Sequence, residues 1–192
     1  MARIGLLAVV LCLVAASPAA PTTVIPPTFD ELVARAESVF VARVVALRSS
    51  WVATRSGRAI VTDVTFFIER TLKGPTHAER SLEFLGGTVG EDTLQVTGMP
   101  QFHIGDRDVL FVADSGRPVS PLVGFMYGRF RIVRDTVTGA DMIRTHDGRP
   151  RASVAEVGNL TRAATVAPAR TLTLDDFLNA VNAKLGVPGR RP

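Results

Sequence analysis

The apolar positions of the chain change their spacing several times, and each change predicts a different element. Val39 to Leu47 is almost continuously apolar and rich in β-branched residues, which is typical of a strand buried on both faces. From Ile60 to Ile68 apolar and polar residues alternate, which predicts a strand with one buried face. Short apolar runs between turn residues predict further strands at 81–85, 93–96, 109–112, 123–127, 129–134 and 141–145.

Two helices are predicted to flank this strand series. Thr28 and Glu31 form a capping-box pattern at the start of a short helix that runs to about Ala36. Thr173 caps a second helix, whose apolar stripe needs a partner, either the β domain or another protein. That stripe consists of Leu174, Phe177, Leu178, Val181 and Leu185. We therefore predict a mainly β fold, an antiparallel OB-like barrel or sandwich with a short N-terminal helix and a C-terminal amphipathic helix.

Residues 1–19 show the pattern of a secretory signal peptide. Arg3 supplies a positive charge, an apolar stretch follows, and Ser17 to Ala19 offers small residues for cleavage. The apolar stretch is shorter than the roughly 20 residues that a bilayer-spanning helix needs. We expect a secreted or periplasmic protein without a transmembrane anchor after cleavage. The predicted division is a signal peptide at 1–19, an extended tether at 20–27, a β-barrel domain at 28–145, a flexible linker at 146–170 and the C-terminal helix at 171–186.

Cysteine usage excludes several kinds of chemistry. Cys12 is the single cysteine of the chain, and it lies inside the predicted signal peptide. A mature chain of about 170 residues is long enough for one domain with its own core. Without cysteine it offers no disulfide scaffold, no thiolate zinc or iron–sulfur site and no cysteine nucleophile.

The positive charge of the chain does not identify a nucleic-acid partner. Lysine and arginine number 22 against 18 acidic residues, for a net charge of +4. All of the basic residues except Lys73 and Lys184 are arginine, which keeps the isoelectric point high. The basic residues form no block of five like charges, so we predict no nucleic-acid binding.

The strand series resembles the pattern of netrin-like domains, the OB-type barrel shared with tissue inhibitors of metalloproteinases. Three features are similar. Residues 36–44 lead into a strand, residues 64–74 contain a strand followed by a turn, and Phe102 to Asp106 precede the strand at 109–112. The layout is also similar to that of poorly characterised exported bacterial proteins. The resemblance implies a barrel, and it implies protease inhibition as one candidate activity. Those inhibitors chelate zinc through an N-terminal cysteine, so inhibition here would have to be independent of cysteine.

The histidines provide the candidate catalytic chemistry. His103 lies beside a predicted buried strand and near Asp106 and Asp108, so a secreted hydrolase using these residues is an alternative function. His77 and His146 lie at a turn and at the linker edge, where we expect them to be solvated. The sequence shows neither a nucleophile elbow nor a zinc-binding motif. We therefore predict no catalytic residues, no metal site and no cofactor.

The remaining candidates are contact residues for a partner. Trp51 lies in a predicted polar loop from Arg48 to Arg58, where an exposed indole can anchor a contact or pack over the barrel. Alternation places Arg129 and Arg131 together on one strand face, which we expect to be solvated, although such a face can also hold ligands. The leading hypothesis is an exported, non-enzymatic β-barrel module that binds a protein or a cell-envelope component. Its possible contacts are Trp51, Phe125, Tyr127, Arg129, Arg131, Phe177 and Val181.

Overall fold

A computed structural model describes residues 25–55, 57–113, 119–159 and 171–186 of the protein. Two α-helices, eight strands and one 3-10 turn are present in these ranges. The helices are α1 (Phe29–Arg35) and α2 (Leu174–Lys184), and the 3-10 turn is Val154–Glu156. The strands are β1 (Ser38–Thr54), β2 (Gly57–Lys73), β3 (Glu79–Leu85), β4 (Gly87–Val89), β5 (Asp92–Leu94), β6 (Arg107–Val112), β7 (Arg129–Arg134) and β8 (Asp141–Thr145). The mainly β class is confirmed.

Six of the strands form one antiparallel sheet in the order β3-β2-β1-β6-β7-β8, and β4 pairs with β5 in a separate hairpin. The edge strands β3 and β8 are not paired with each other in the described part of the chain. The sheet is therefore antiparallel as predicted, and its OB-like closure stays a prediction.

The β1–β2 hairpin is much longer than the sequence predicts. Its two strands have 17 residues each, and their register continues to the pair Thr54 and Gly57. The polar loop predicted from Arg48 to Arg58 is wrong, because almost all of this segment is paired strand. Polar residues here hydrogen-bond across the hairpin, as Ser49 and Thr62 do at 2.9 Å, while Ile60 and Val61 in the same hairpin are buried.

Alternate residues of β1 and β6 point into two separate cores, one on each face of the sheet. Both helices pack on the first face, and we call this core the helix-side core. The capping box that begins α1 is present, since the Glu31 amide donates to the Thr28 hydroxyl and the Thr28 amide donates to the Glu31 carboxylate. On the second face Phe102 packs against Phe66 and Phe84, with ring centroids 5.4 and 4.9 Å apart.

The strand predicted at 123–127 is wrong, because these residues form consecutive turns between β6 and β7. Gly124 and Phe125 both have positive φ angles, of 65° and 70°, which an extended strand does not allow. The Tyr127 amide donates to the Gly124 carbonyl at 3.3 Å, which closes one of these turns. The turn carries the Tyr127 side chain to the end of the sheet where β8 also ends.

Residues 146–159, the first part of the predicted linker, lie against the sheet in the structure. Arg144 forms an isolated bridge with Pro150, the Leu172 amide donates to the Arg151 carbonyl at 2.7 Å, and Val157 is buried in the helix-side core. Gly158 has a φ of +81°, and a Cβ here would approach the Pro27 carbonyl oxygen to 2.6 Å. This close approach joins the segment to the last residues of the predicted tether.

Some predictions fall outside the described residues. These are the signal peptide at 1–19, the tether up to residue 24 and the linker at 160–170. No helix in the ranges that the structure describes is long and apolar enough to cross a membrane.

Candidate functional site

The apolar stripe of α2 is packed inside the protein. Phe177 and Val181 have no exposed surface, and the Phe177 ring lies 5.5 Å from Phe29 and 4.8 Å from Phe130. Of the two partners that the sequence left open for this stripe, the β domain is the one observed. Phe177 and Val181, predicted as contacts, therefore hold the fold together and are not accessible to a partner.

Trp51 lies on strand β1 near the far end of the long hairpin. It is 37% exposed, and the Arg58 guanidinium lies 4.6 Å from the centre of its ring. Phe125 is partly buried against the second core. Trp51 and Phe125 are therefore not brought together with Phe177 in one surface, and Trp51 is the predicted aromatic contact that stays substantially exposed.

Arg129 is not on a solvated strand face, and that expectation is corrected. It is 2% exposed, because it lies between two carboxylates and over the Phe102 ring, 4.1 Å from the ring centre. Its Nε donates to Asp108 at 2.8 Å, and its Nη2 donates to Asp106 at 2.9 Å. Arg131, two residues along β7, remains partly exposed.

Both carboxylates beside Arg129 have displaced pKa values. Burial raises the pKa of Asp108, and the adjacent Arg129 opposes this shift. Burial also acts on Asp106, but hydrogen bonds from the His103 amide and from Arg129 outweigh it and lower the pKa of Asp106. The three side chains form a largely buried group of one guanidinium and two carboxylates that joins β6 to β7.

A cavity lies where the turn before β7, the end of β8 and residues 157–159 meet. Its volume is about 180 Å3. The Tyr127 ring stacks on the His146 imidazole at its wall, with centroids 5.1 Å apart and planes inclined by 28°. The apolar part of the lining comes from Pro26, Pro27, Phe130 and Val157. Its other polar side chains are Thr145, Asp147, Arg149, Arg151, Asn159 and the edge of Arg129.

Two nitrogen atoms on residues that line this cavity lack hydrogen-bond partners in the described part of the chain. They are Nδ1 of His146 and Nε of Arg151, and both atoms are buried. His146 was expected to be solvated, but its side chain is 18% exposed, so that expectation is wrong. Burial lowers the pKa of His146; Asp147 opposes this shift, while Arg129 and Arg151 add to it. The imidazole is therefore held towards its neutral form.

Asp147 organises the polar wall of the cavity. It accepts a hydrogen bond from the Thr145 hydroxyl, and its other oxygen lies 3.1 Å from Nε of Arg149. Burial acts to raise its pKa, but the Thr145 hydrogen bond and the neighbouring His146 and Arg149 leave the pKa of Asp147 lowered. Asp147 is thus an ionised group whose charge is already matched by Arg149.

The residues around His103 do not form the arrangement of a general base with a nucleophile that a hydrolase uses, in the part of the chain that the structure describes. The His103 side chain is 78% exposed, and its Nδ1 lies 3.6 Å from an Asp106 oxygen that Arg129 also engages. Among the described residues, no serine or threonine hydroxyl is hydrogen-bonded to His103. The described part of the chain also holds no group of three histidine, cysteine or acidic side chains that could bind a metal ion.

Sequence reasoning identified Tyr127 and Arg129 but missed His146 and Arg151. The turn pattern Thr145-His146-Asp147-Gly148 follows a strand directly, and this was the one local signal that a side chain there is held in place. Arg151 gave no local signal, because the cavity that it lines is completed by Pro26 and Pro27, which are distant in sequence.

The comparisons with known proteins do not assign this chain to a family. No protein-family model, no curated protein and no solved structure matches it. The resemblance to netrin-like domains therefore stays a prediction from the strand pattern.

Proposed function

We propose that the protein is an exported, non-enzymatic binding module whose recognition site is the cavity beside Tyr127 and His146. Its partner is a protein or another component of the cell envelope. Export is the part of this proposal that depends on the signal-peptide pattern of residues 1–19. The proposal that the cavity is the recognition site depends on the geometry of the residues that the structure describes.

One observation carries the proposal, the pair of buried nitrogen atoms on His146 and Arg151. A buried donor without an acceptor costs about 1–3 kcal/mol, and native structures leave few such groups unexplained. The side chains that carry these atoms line a single cavity that also has apolar walls. A ligand that supplies oxygen atoms to both nitrogens removes this cost, as is usual for pockets with a few polar groups on an apolar lining.

Trp51 supports a second contact on the same partner. The long hairpin carries it beyond the two cores, and the Arg58 guanidinium stacks on its ring. Tryptophan and arginine are among the residues that contribute most to binding energy at interfaces. A macromolecular partner could place one group in the cavity and a flatter surface against the hairpin.

We include the OB-like barrel in this proposal. The pairing of β1 with β2 shifts register at three places, between Val39 and Phe40, between Val41 and Ala42, and between Val44 and Ala46. Such irregularities bend strands and increase their twist, as barrel formation requires. An experimental structure with hydrogen bonds that close the sheet into a barrel would support this, and an open sheet with two free edges would contradict it.

Recovery of partners from an envelope extract tests the function. Immobilised wild-type protein should repeatedly retain the same component, and Tyr127→Ala and Arg151→Ala should each retain much less of it. Arg134→Ala is the matched control, since Arg134 is 71% exposed and does not line the cavity. Trp51→Ala should weaken retention without abolishing it.

Three outcomes would overturn the proposal. The first is that wild type retains nothing above background, and the second is that all variants retain the same component equally. The third is an activity in place of binding. Hydrolysis of an ester or peptide that His103→Gln abolishes would establish the hydrolase, and inhibition of a secreted metalloprotease by wild type and Tyr127→Ala alike would establish the cysteine-independent inhibitor.

A further inference from the structure

Arg151 carries the charge in the cavity that remains unmatched. Three arginines line the cavity, and Arg129 is neutralised by Asp106 and Asp108. Arg149 lies 3.1 Å from Asp147. Within the described ranges no carboxylate forms an ion pair with Arg151, and its Nε has no acceptor. A guanidinium stays protonated at any physiological pH, so the unmatched charge favours an anion in the cavity.

His146 supplies the second donor position. Stacking on Tyr127 fixes the plane of the imidazole. Its Nδ1 is buried without a hydrogen-bond partner in the part of the chain that the structure describes, and the nearest carboxylate oxygen, of Asp147, lies 4.0 Å away. One neutral tautomer of imidazole presents an N–H at this atom. A single ligand group with two oxygen atoms can therefore accept from Arg151 and from His146 together.

The charge of the site selects among anions. One unmatched arginine with a neutral imidazole provides one positive charge, and the ionised Asp147 lies in the same lining. A phosphate group carries about −1.5 to −2 charges at neutral pH, which is more than the single positive charge of Arg151 compensates. A carboxylate carries a single charge, and its planar shape matches a guanidinium.

The size and walls of the cavity limit the rest of the ligand. A cavity of about 150 Å3 accommodates a benzene ring, so the volume of about 180 Å3 fits one compact ring or a branched aliphatic group. Pro26, Pro27, Phe130 and Val157 supply an apolar wall for such a group. The ligand thus combines one carboxylate with a compact apolar body.

We infer that the cavity binds a carboxylate attached to a compact apolar group, with the carboxylate beside the side chains of Arg151 and His146. This inference rests on the proposed function, for which it names the ligand chemistry. The same chemistry occurs in a free organic acid and in the C-terminal residue of a peptide that ends in an apolar side chain. Both sources present the carboxylate next to an apolar body.

Calorimetric titration of the full chain with benzoate tests the inference. Wild type should show saturable one-site binding, and benzamide, which has the same shape without the charge, should bind at least tenfold more weakly. Arg151→Gln should reduce the benzoate affinity by about tenfold to hundredfold, the range expected when a hydrogen bond to a charged group is lost. The matched change Arg134→Gln should leave the affinity unchanged.

Further titrations distinguish a free organic acid from a peptide C-terminus as the ligand. They also provide a test that does not depend on the folding of a variant. A short peptide ending in phenylalanine should bind as tightly as benzoate or tighter, and its C-terminal amide should not bind, if the natural ligand is a chain terminus. Benzoate binding without peptide binding would indicate a free acid. If Arg151→Gln does not fold, the difference between the benzoate and benzamide affinities of the wild-type protein still tests whether the cavity prefers a carboxylate.

Three results would overturn the inference: no saturable benzoate binding, equal affinity for benzamide, or tighter binding of inorganic sulfate or phosphate. These failures are distinguishable from failure of the proposed function. An envelope component retained through Tyr127 and Arg151 with no benzoate binding would leave the function standing and reject the carboxylate.

Discussion

Arg129 donates two parallel hydrogen bonds to Asp108, from Nε to Oδ1 at 2.8 Å and from Nη2 to Oδ2 at 3.1 Å. The two side chains are 3% and 1% exposed, so this is a buried ion pair. It joins the first residue of β7 to β6, two residues after Tyr127. The pair therefore positions the part of the sheet from which one wall of the cavity is built.

Replacing Arg129 should destabilise the protein strongly. Arg129→Met keeps much of the side-chain volume but leaves Asp108 buried without its partner. Removal of one member of a buried pair costs about 3–5 kcal/mol. Urea unfolding followed by circular dichroism should show a loss of this size in the free energy of unfolding.

Arg134→Met is the matched control for this change. Arg134 lies 3.3 Å from Asp141 and is 71% exposed, and exposed pairs contribute about 0–1 kcal/mol. If Arg129→Met and Arg134→Met lower the free energy of unfolding equally, the role given to the buried pair is contradicted.

His146 should make the stability depend on pH below about pH 6.5. The unfolded imidazole titrates near its ordinary pKa of 6.5, whereas burial and the charges of Arg129 and Arg151 lower the pKa in the folded protein, with Asp147 opposing. Between these two pKa values the unfolded chain binds more protons. The free energy of unfolding should therefore fall as the pH drops below 6.5, by at most about 1.4 kcal/mol per pH unit from this group.

Two substitutions identify the group responsible for this slope. His146→Gln should remove most of it, while His103→Gln should retain it because the His103 side chain is 78% exposed. Unfolding free energies at pH 7.5, 6.5 and 5.5 provide the comparison. A slope that survives His146→Gln would show that another group causes it.

Phe177→Ala should cost about 3–5 kcal/mol, as expected when a buried phenylalanine is truncated in a packed core. The ring contacts Phe29 and Phe130, so the loss would loosen both α1 and β7 from α2. Asn179→Ala, an exposed change on the same helix, should have little effect on chemical unfolding. If Phe177→Ala lowers the free energy of unfolding only slightly, α2 is not a stable part of the domain.

Elements with strong local signals could be predicted from the sequence. The capping box at Thr28 and Glu31, the stripe containing Phe177 and the apolar run of β6 each depend on residues close together in the chain. Gly124 and Phe125 were misread as strand because an apolar run does not reveal positive φ angles.

The site was harder to predict, because its partners are distant in sequence. Arg129 looked solvated by alternation alone, and only the pairing of Leu110 with Arg129 brings Asp108 beside it. His146 and Arg151 line a cavity together with Pro27 and residues 157–159, and Gly158 there approaches the Pro27 carbonyl oxygen. No local pattern encodes that approach.

The most direct measurement of the central claim is the nuclear magnetic resonance signal of the Arg151 Nε–H during a benzoate titration. Wild-type protein should show this signal moving progressively, with slower exchange with water, until the site is saturated. The exposed Arg134 Nε–H should not move. Saturation of benzoate binding with an unchanged Arg151 signal, or with shifts confined to residues outside the cavity, would contradict the assignment of this cavity as the binding site.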